Sequence, residues 1–192
     1  MKGIVRRCQW PGDDPLYIEY HDKEWGVPEY NEGKLFEFLI LEGAQAGLSW
    51  ISILRRRESY RKAFRGFDPE SIAKFGEKEI GELLGDPGII RNRKKIEGAA
   101  ANARAYLHLR ERKGSLSAFL WDFVDGQPMI NRWKSPEEVP SGTPLSEKIS
   151  RAMKKEGFVF FGPTICYAHM QAVGMVNDHL TYCFRHPDRL QK

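Results

Sequence analysis

Along most of the chain apolar residues recur every three or four positions, the interval of helices, and seldom alternate as they would in strands. The run from Leu35 to Ala46 is apolar nearly all round, the pattern of a helix buried on every side, and Gly47 offers a stop. Ser49 predicts the cap of a second helix in which Trp50, Ile53, Leu54, Tyr60 and Phe64 share one face and arginines fill the other. Asp68-Pro69 reads as a cap followed by proline at the first helical position, with Gly76 closing that short helix and another spanning about Glu77 to Leu84 before Gly85. After a tight turn at Asp86-Pro87-Gly88-Ile89-Ile90, the residues Ile96, Ala99, Ala100, Ala103, Tyr106 and Leu107 form one stripe of a long helix up to Gly114. These two helices make an αα-hairpin. Ser115 predicts a cap for a helix holding Phe119, Leu120 and Phe123, Thr143-Pro144 opens one that runs to Gly157, and Gly162-Pro163 opens the next. Gly126 to Gly142 reads as an irregular, proline-rich connection, and Phe158 to Phe161 as a buried extended link without a partner strand. The predicted fold class is all-α.

A chain of 192 residues fits one domain and hides about 70% of its unfolded surface, so it needs no cross-link to be stable. With 41% hydrophobic and 29% charged residues it is neither disordered nor membrane-spanning, since no apolar stretch approaches the ~20 residues a bilayer requires. Met1 to Arg7 shows no apolar segment of a secretion signal, which makes the cytoplasm the expected compartment. A net charge of +4, from 30 basic and 26 acidic residues, does not by itself argue for nucleic acid. Its distribution matters more. Arg55, Arg56, Arg57, Arg61, Lys62 and Arg65 form one basic run, and Arg91, Arg93, Lys94 and Lys95 another, each equally readable as a solvated helix face.

Three constellations could carry chemistry. Cys8, Cys166 and Cys183 are an odd set that cannot all pair, which in a reducing compartment points to metal, catalysis or burial. His179 and Cys183, four apart, would share one face of a helix, and Cys8 with His21 could complete a Cys2His2 zinc set. Cys166, His169 and His186 compete by composition; Cys166 otherwise reads as a small buried hydrophobe, and His108 and His186 as solvent-facing. Secondly, the turn at Gly88 followed by a helix start and Arg91, Arg93, Lys94 and Lys95 is a natural seat for a phosphate. Thirdly, Trp10, Tyr17, Tyr20, Trp25 and Tyr30 crowd the N-terminal region near Trp50, and Glu42 is singled out as a lone acid within the apolar run. A buried carboxylate among aromatic faces suits a flat, cationic, hydrogen-bonding ligand.

The blocks Cys8-Gln9-Trp10, Asp14 to Pro28, Leu41 to Trp50, Gly88-Ile89-Ile90-Arg91, Asn102 to Tyr106, Thr164 to Tyr167 and Val176 to His179 cover nearly the whole chain in order. Together they resemble the signature blocks of the bacterial 3-methyladenine DNA glycosylase I family. The resemblance implies a single helical unit over residues 1–192 with the helix-hairpin-helix glycosylase fold. It also implies one structural Zn2+ joining the two ends of the chain through Cys8, His21, His179 and Cys183. The base pocket carries over onto Glu42, Tyr17, Tyr20 and Trp50, with Trp25 and Trp10 beside them, and the DNA-gripping hairpin onto Gly88, Ile89, Ile90 and Arg91, extended by Arg93 and Lys94. The implied activity is monofunctional excision of 3-methyladenine from double-stranded alkylated DNA; a monomer is the default expectation. Glu42 takes over the work of the catalytic aspartate that the wider superfamily uses and this family lacks. Two rivals make different demands. A noncatalytic nucleic-acid-binding module has no reason to bury Glu42 among aromatics, and a zinc hydrolase or deaminase needs an open coordination position and a signature such as His-x-Glu with Pro-Cys-x-x-Cys, a signature that this chain does not contain.

Overall fold

Side-chain caps set many of the helix starts in the computed structural model, which describes residues 5–190. Asp14 opens α1 (Pro15–Lys23) by accepting from the backbone N–H groups of Leu16 and Tyr17, and Asn31 opens α2 (Glu32–Gln45) through Lys34. Asp68 caps α5 (Pro69–Ile72), Asn92 caps α7 (Arg93–Lys113), Ser115 caps α8 (Leu116–Trp121), and Thr143 with Ser146 forms a reciprocal pair at α9 (Pro144–Lys155). Residues Leu35 to Ala44 of α2 are all buried. This central helix packs against α7 and α10 (Pro163–Ala172), and one hydrophobic core runs through α1 to α10. A smaller cluster of Cys8, Leu180 and Cys183 ties the two ends of the chain together beside a short α11 (Pro187–Leu190). No helix among the described residues is long and apolar enough to cross a membrane. The expected absence of a secretion signal concerns a stretch whose first residues, Met1 to Ile4, lie outside the described residues.

Several expectations need correction. The helix predicted from Ser49 through Phe64 is two, α3 (Trp50–Leu54) and α4 (Arg57–Ala63), and Ser49 makes no side-chain cap. Arg56 leaves helical geometry at ψ 0°, and its guanidinium takes the Ser52 carbonyl at 2.9 Å in place of the lost ladder bond. Gly76 starts a helix rather than ending one: it is the N-cap of α6 (Glu77–Gly85), with its N–H donating to Glu79. The proline-rich connection contains β1 (Met129–Ile130), paired in parallel with β2 (Val176–Asn177), a ladder too short to leave any periodicity in the sequence. Phe158 to Phe161 is only half buried, because Val159 and Phe160 face outward. Asn102 clamps Val159 through both its N–H and its carbonyl, and Phe160, in the left-handed region at φ 53°, lays its ring so close to Gly98 that a Cβ there would sit 2.5 Å from it. His186 is buried, its Nε2 donating to the Asn131 carbonyl and its Nδ1 accepting from Asp188 N–H; His108 is exposed and Cys166 buried, as expected.

His169 is fully buried against Phe161 with neither ring nitrogen hydrogen-bonded. Burial pushes its pKa down from 6.5 to about 3, so the native state keeps it neutral while the unfolded chain takes up a proton below about 6.5. Stability is therefore lost as pH falls. His169→Phe is expected to raise stability by about 1–3 kcal/mol and to reduce the drop in thermal midpoint between pH 7 and pH 5, measured by calorimetry.

Candidate active site

Six side chains proposed from sequence line one cavity of about 400 Å³. Tyr17 and Tyr20 stand on α1, Glu42 comes from α2 and Trp50 opens α3, while Trp10 and Trp25 flank α1. Trp10 is the keystone of the aromatic wall, with ring centroids 4.7 Å from Tyr17, 5.1 Å from Trp25 and 5.3 Å from His21. Trp50 leans on Tyr20 at 5.6 Å and stacks with Phe38 at 6.3 Å. Tyr30 lies elsewhere, stacked on Trp121.

Glu42 is 3% exposed, and burial alone pushes its carboxyl up to about 8. The indole Nε1 of Trp50 is buried without a hydrogen-bond partner among the described residues. The cavity therefore offers one carboxyl group and one N–H with unused hydrogen-bonding capacity between aromatic faces, at a cost to the folded protein of the kind that functional sites carry. Glu42 is not the lone acid of its helix. Glu37, which the sequence reading passed over, is equally buried, but Arg57 at 2.6 Å and Arg61 at 2.8 Å hold it; burial pushes its carboxyl up, and those guanidinium groups return it below the usual range. Asp178 and Gln171 also line the cavity and were not anticipated. Asp178 accepts hydrogen bonds from Asn131, Trp133, Tyr167 and Gln171, which joins the segment after β1, α10 and the chain end behind the pocket. Its place beside His179, a candidate metal donor, was the available signal.

Cys8, His21, His179 and Cys183 are buried and their donor atoms all lie within 4.8 Å of one another. Cys183 Sγ is 3.5 Å from both His21 Nε2 and His179 Nδ1, and Cys8 Sγ is 3.7 Å from His179 Nδ1. A tetrahedral zinc ion with two sulfur and two nitrogen ligands has edges of about 3.3–3.8 Å, so the donor set fits. Both remaining ring nitrogens are held, His21 Nδ1 by Asp22 at 2.7 Å and His179 Nε2 by the Trp25 carbonyl at 3.0 Å, which orients the donors toward a common point. Cys166, His169 and His186 do not join this cluster. The helix expected to carry His179 and Cys183 is absent. A turn closed by Cys183 N–H on the Leu180 carbonyl brings them together instead.

At the αα-hairpin, Gly88 donates to Asp86 Oδ1 and packs on Ser59, whose Cβ would lie 2.8 Å from a Cβ at position 88, so close approach is what requires glycine there. Ile89 is buried, and Ile90 N–H donates to Tyr60 Oη. Arg91 and Lys94 are exposed and make no ion pair among the described residues, whereas Arg93 is paired with Glu77 and Glu97. Lys95 turns inward to the carbonyls of Ala44 and Ala46. In the other basic run, Arg55 pairs with Asp14, Arg56 binds the Ser52 carbonyl, Arg57 holds Glu24 and Glu37, and Arg61 holds Glu37 and Glu58, while Lys62 and Arg65 are exposed and make no ion pair among the described residues.

A model of the methyladenine glycosylase family matches residues 10–186. The chain is 49% identical over 183 residues to DNA-3-methyladenine glycosylase 1 of Escherichia coli (strain K12), covering 95% of this chain and 98% of that one. Its fold is similar to a crystal structure of 3-methyladenine DNA glycosylase I, with a TM-score of 0.93 at 53% identity over 95% of this chain and all of the other. It is also similar to the Staphylococcus aureus 3-methyladenine DNA glycosylase I solved to explain 3-methyladenine recognition, with a TM-score of 0.92 at 35% identity over 96% and 98% of the two chains.

Proposed function

The chain belongs to the methyladenine glycosylase family, and from that premise we propose how its own residues carry out the excision of 3-methyladenine from DNA. The observation that carries the reading is Glu42, a buried carboxyl without a partner inside an aromatic-walled cavity. A base in a duplex is inaccessible, so the nucleotide must be flipped out of the stack, at a cost of a few kcal/mol. The N3-alkylated base is cationic in DNA. Trp50 and a tyrosine of α1 sandwich it, Trp10 and Trp25 close the sides, and Glu42 accepts hydrogen bonds from its edge. Cationic charge favours both the aromatic faces and the carboxylate over normal adenine.

The same charge makes the base a good leaving group. As the bond between the base nitrogen and C1′ breaks, its electron pair goes to the base, which departs neutral, and positive charge moves to the sugar. Glu42 and the fixed dipoles around it stabilise that redistribution, and a water attacks C1′ and releases a proton. No lysine among the described residues lines the cavity, which supports simple hydrolysis without a Schiff base or strand cleavage. Zinc held by Cys8, His21, His179 and Cys183 would supply a cross-link between the chain ends and no chemistry on the base. The wild-type protein is expected to release free 3-methyladenine from methylated duplex DNA, resolved by chromatography. Absence of release from protein that still binds DNA in a salt-sensitive way would favour a binding module.

The hairpin from Gly88 to Lys94 holds the backbone in this reading. Arg91→Ala and Lys94→Ala are each expected to reduce the slope of log K against log salt by about one, with little change in sequence preference. An unchanged slope in titrations of the double variant would remove both from the phosphate contacts.

A further inference from the structure

Two walls of the cavity meet at one corner. Glu42 sits on the last turn of α2, Trp50 is the first residue of α3, and Ala46 to Ser49 join them. The final carbonyls of a helix have no partner within it. Here an ammonium supplies one: Lys95 Nζ donates to the carbonyl of Ala44 at 2.8 Å and to that of Ala46 at 2.7 Å. Lys95 stands in the first turn of α7, directly after the hairpin turn, and burial lowers its pKa below the ordinary lysine value. It does not line the large cavity. Instead it lines a small cleft behind α2 with Gly43, Gly98, Asn102 and Phe160, where the Phe160 ring lies on Gly98 and the Asn102 clamp fixes the loop that carries it.

We propose that Lys95 is a positioning residue that sets the register between the backbone-holding hairpin and the Glu42–Trp50 corner, so that seating DNA on Gly88 to Lys94 delivers the flipped base between them. The inference rests on the reading that the hairpin holds DNA. One element presents its exposed cations outward and its third residue inward to the pocket corner, a direct mechanical link between the two. Lys95 acts on position and not on acidity, because burial alone accounts for the shift of Glu42. Misplacement of a flipped base by about 1 Å is enough to slow its reaction by about a hundredfold.

Lys95→Met keeps the length and apolar body of the side chain and removes both hydrogen bonds, while Lys95→Arg keeps a donor that reaches the same carbonyls. In single-turnover excision from methylated duplex, Lys95→Met is expected to be slower by about ten- to a hundredfold, with Lys95→Arg recovering part of the rate. Affinity for free 3-methyladenine should stay within about threefold, and neither the salt slope of DNA binding nor the midpoint of the pH–rate profile should move. Three results would overturn the proposal: a salt slope reduced by about one, which makes Lys95 a phosphate contact; excision within about twofold of wild type; or loss of free-base binding in step with excision, which makes the residue a support of the pocket itself. Failure of the hairpin reading would appear separately, as an unchanged salt slope in the Arg91→Ala, Lys94→Ala protein.

Discussion

Glu42→Gln is expected to slow excision of 3-methyladenine by about 10²- to 10³-fold and to make the protein more stable at pH 8. Both effects follow from the same carboxyl. With its pKa raised from 4.5 to about 8 by burial, only a minor fraction is ionised at pH 7 in the empty pocket, and the ionised form is the one that attracts a cationic base. For wild type, kcat/KM should rise by about tenfold per pH unit below about 8 and level off above it, because free-enzyme ionisation governs that parameter. The glutamine variant should show a low, flat profile. On the stability side, the native state retains a proton that the unfolded chain gives up near pH 4.5. Wild type therefore loses about 1.4 kcal/mol per pH unit between 4.5 and about 8, a loss the variant lacks. Chemical denaturation at pH 5 and pH 8 reads this directly: the variant's advantage should widen to a few kcal/mol at the higher pH. A variant that excises normally, or a wild-type profile without a rise toward pH 8, would take the role away from Glu42.

Loss of the metal should be the other large effect. The protein is expected to carry one zinc per chain, and Cys183→Ala or His21→Ala should carry none and unfold with several kcal/mol less stability. The reason lies in what the four donors connect. Cys8 and His21 belong to the N-terminal segment, His179 and Cys183 to the segment after β2, and the hydrophobic cluster around them is small. Without the ion, four buried polar or ionisable groups would face one another with no common partner. Activity should fall with the metal although the ion does not touch the base, because Trp10 leans on His21 at 5.3 Å and Trp25 on His179 at 4.6 Å, and Cys8 itself lines the cavity. Elemental analysis alongside calorimetry checks the assignment; undiminished zinc in both variants would dismiss this ligand set. Acid should release the ion, since the sulfur and nitrogen donors must be deprotonated to bind.

Most helices around the core could be placed from the order of residues alone, whereas the full pocket set and the choice of Cys8, His21, His179 and Cys183 among competing donors came from the family resemblance. The helices rest on local rules: Asp14, Asn31, Asp68, Asn92, Ser115 and Thr143 can satisfy helix N–H groups wherever they stand, and the stripe from Ile96 to Tyr106 must be buried somewhere. What a side chain does once its helix is packed depends on groups far away in the chain. Locally only Lys34, one turn before Glu37 and 3.4 Å from it, distinguishes Glu37 from Glu42 on α2; Arg57 and Arg61, some twenty residues on, complete the neutralisation of the first and leave the second without an ion pair among the described residues. Likewise, Arg91, Arg93, Lys94 and Lys95 read as one basic run, yet the structure divides them into two exposed cations without an ion pair among the described residues, one paired on the surface and one turned to the end of α2. The β1–β2 ladder and the turn that joins His179 to Cys183 come from contacts about 46 residues apart and from a loop without periodicity. Sequence by itself determined which groups are available and where most helices begin, because those depend on near neighbours. Only the tertiary structure decided which charges are spent internally, since desolvation and pairing are set by whatever the fold brings within a few ångströms.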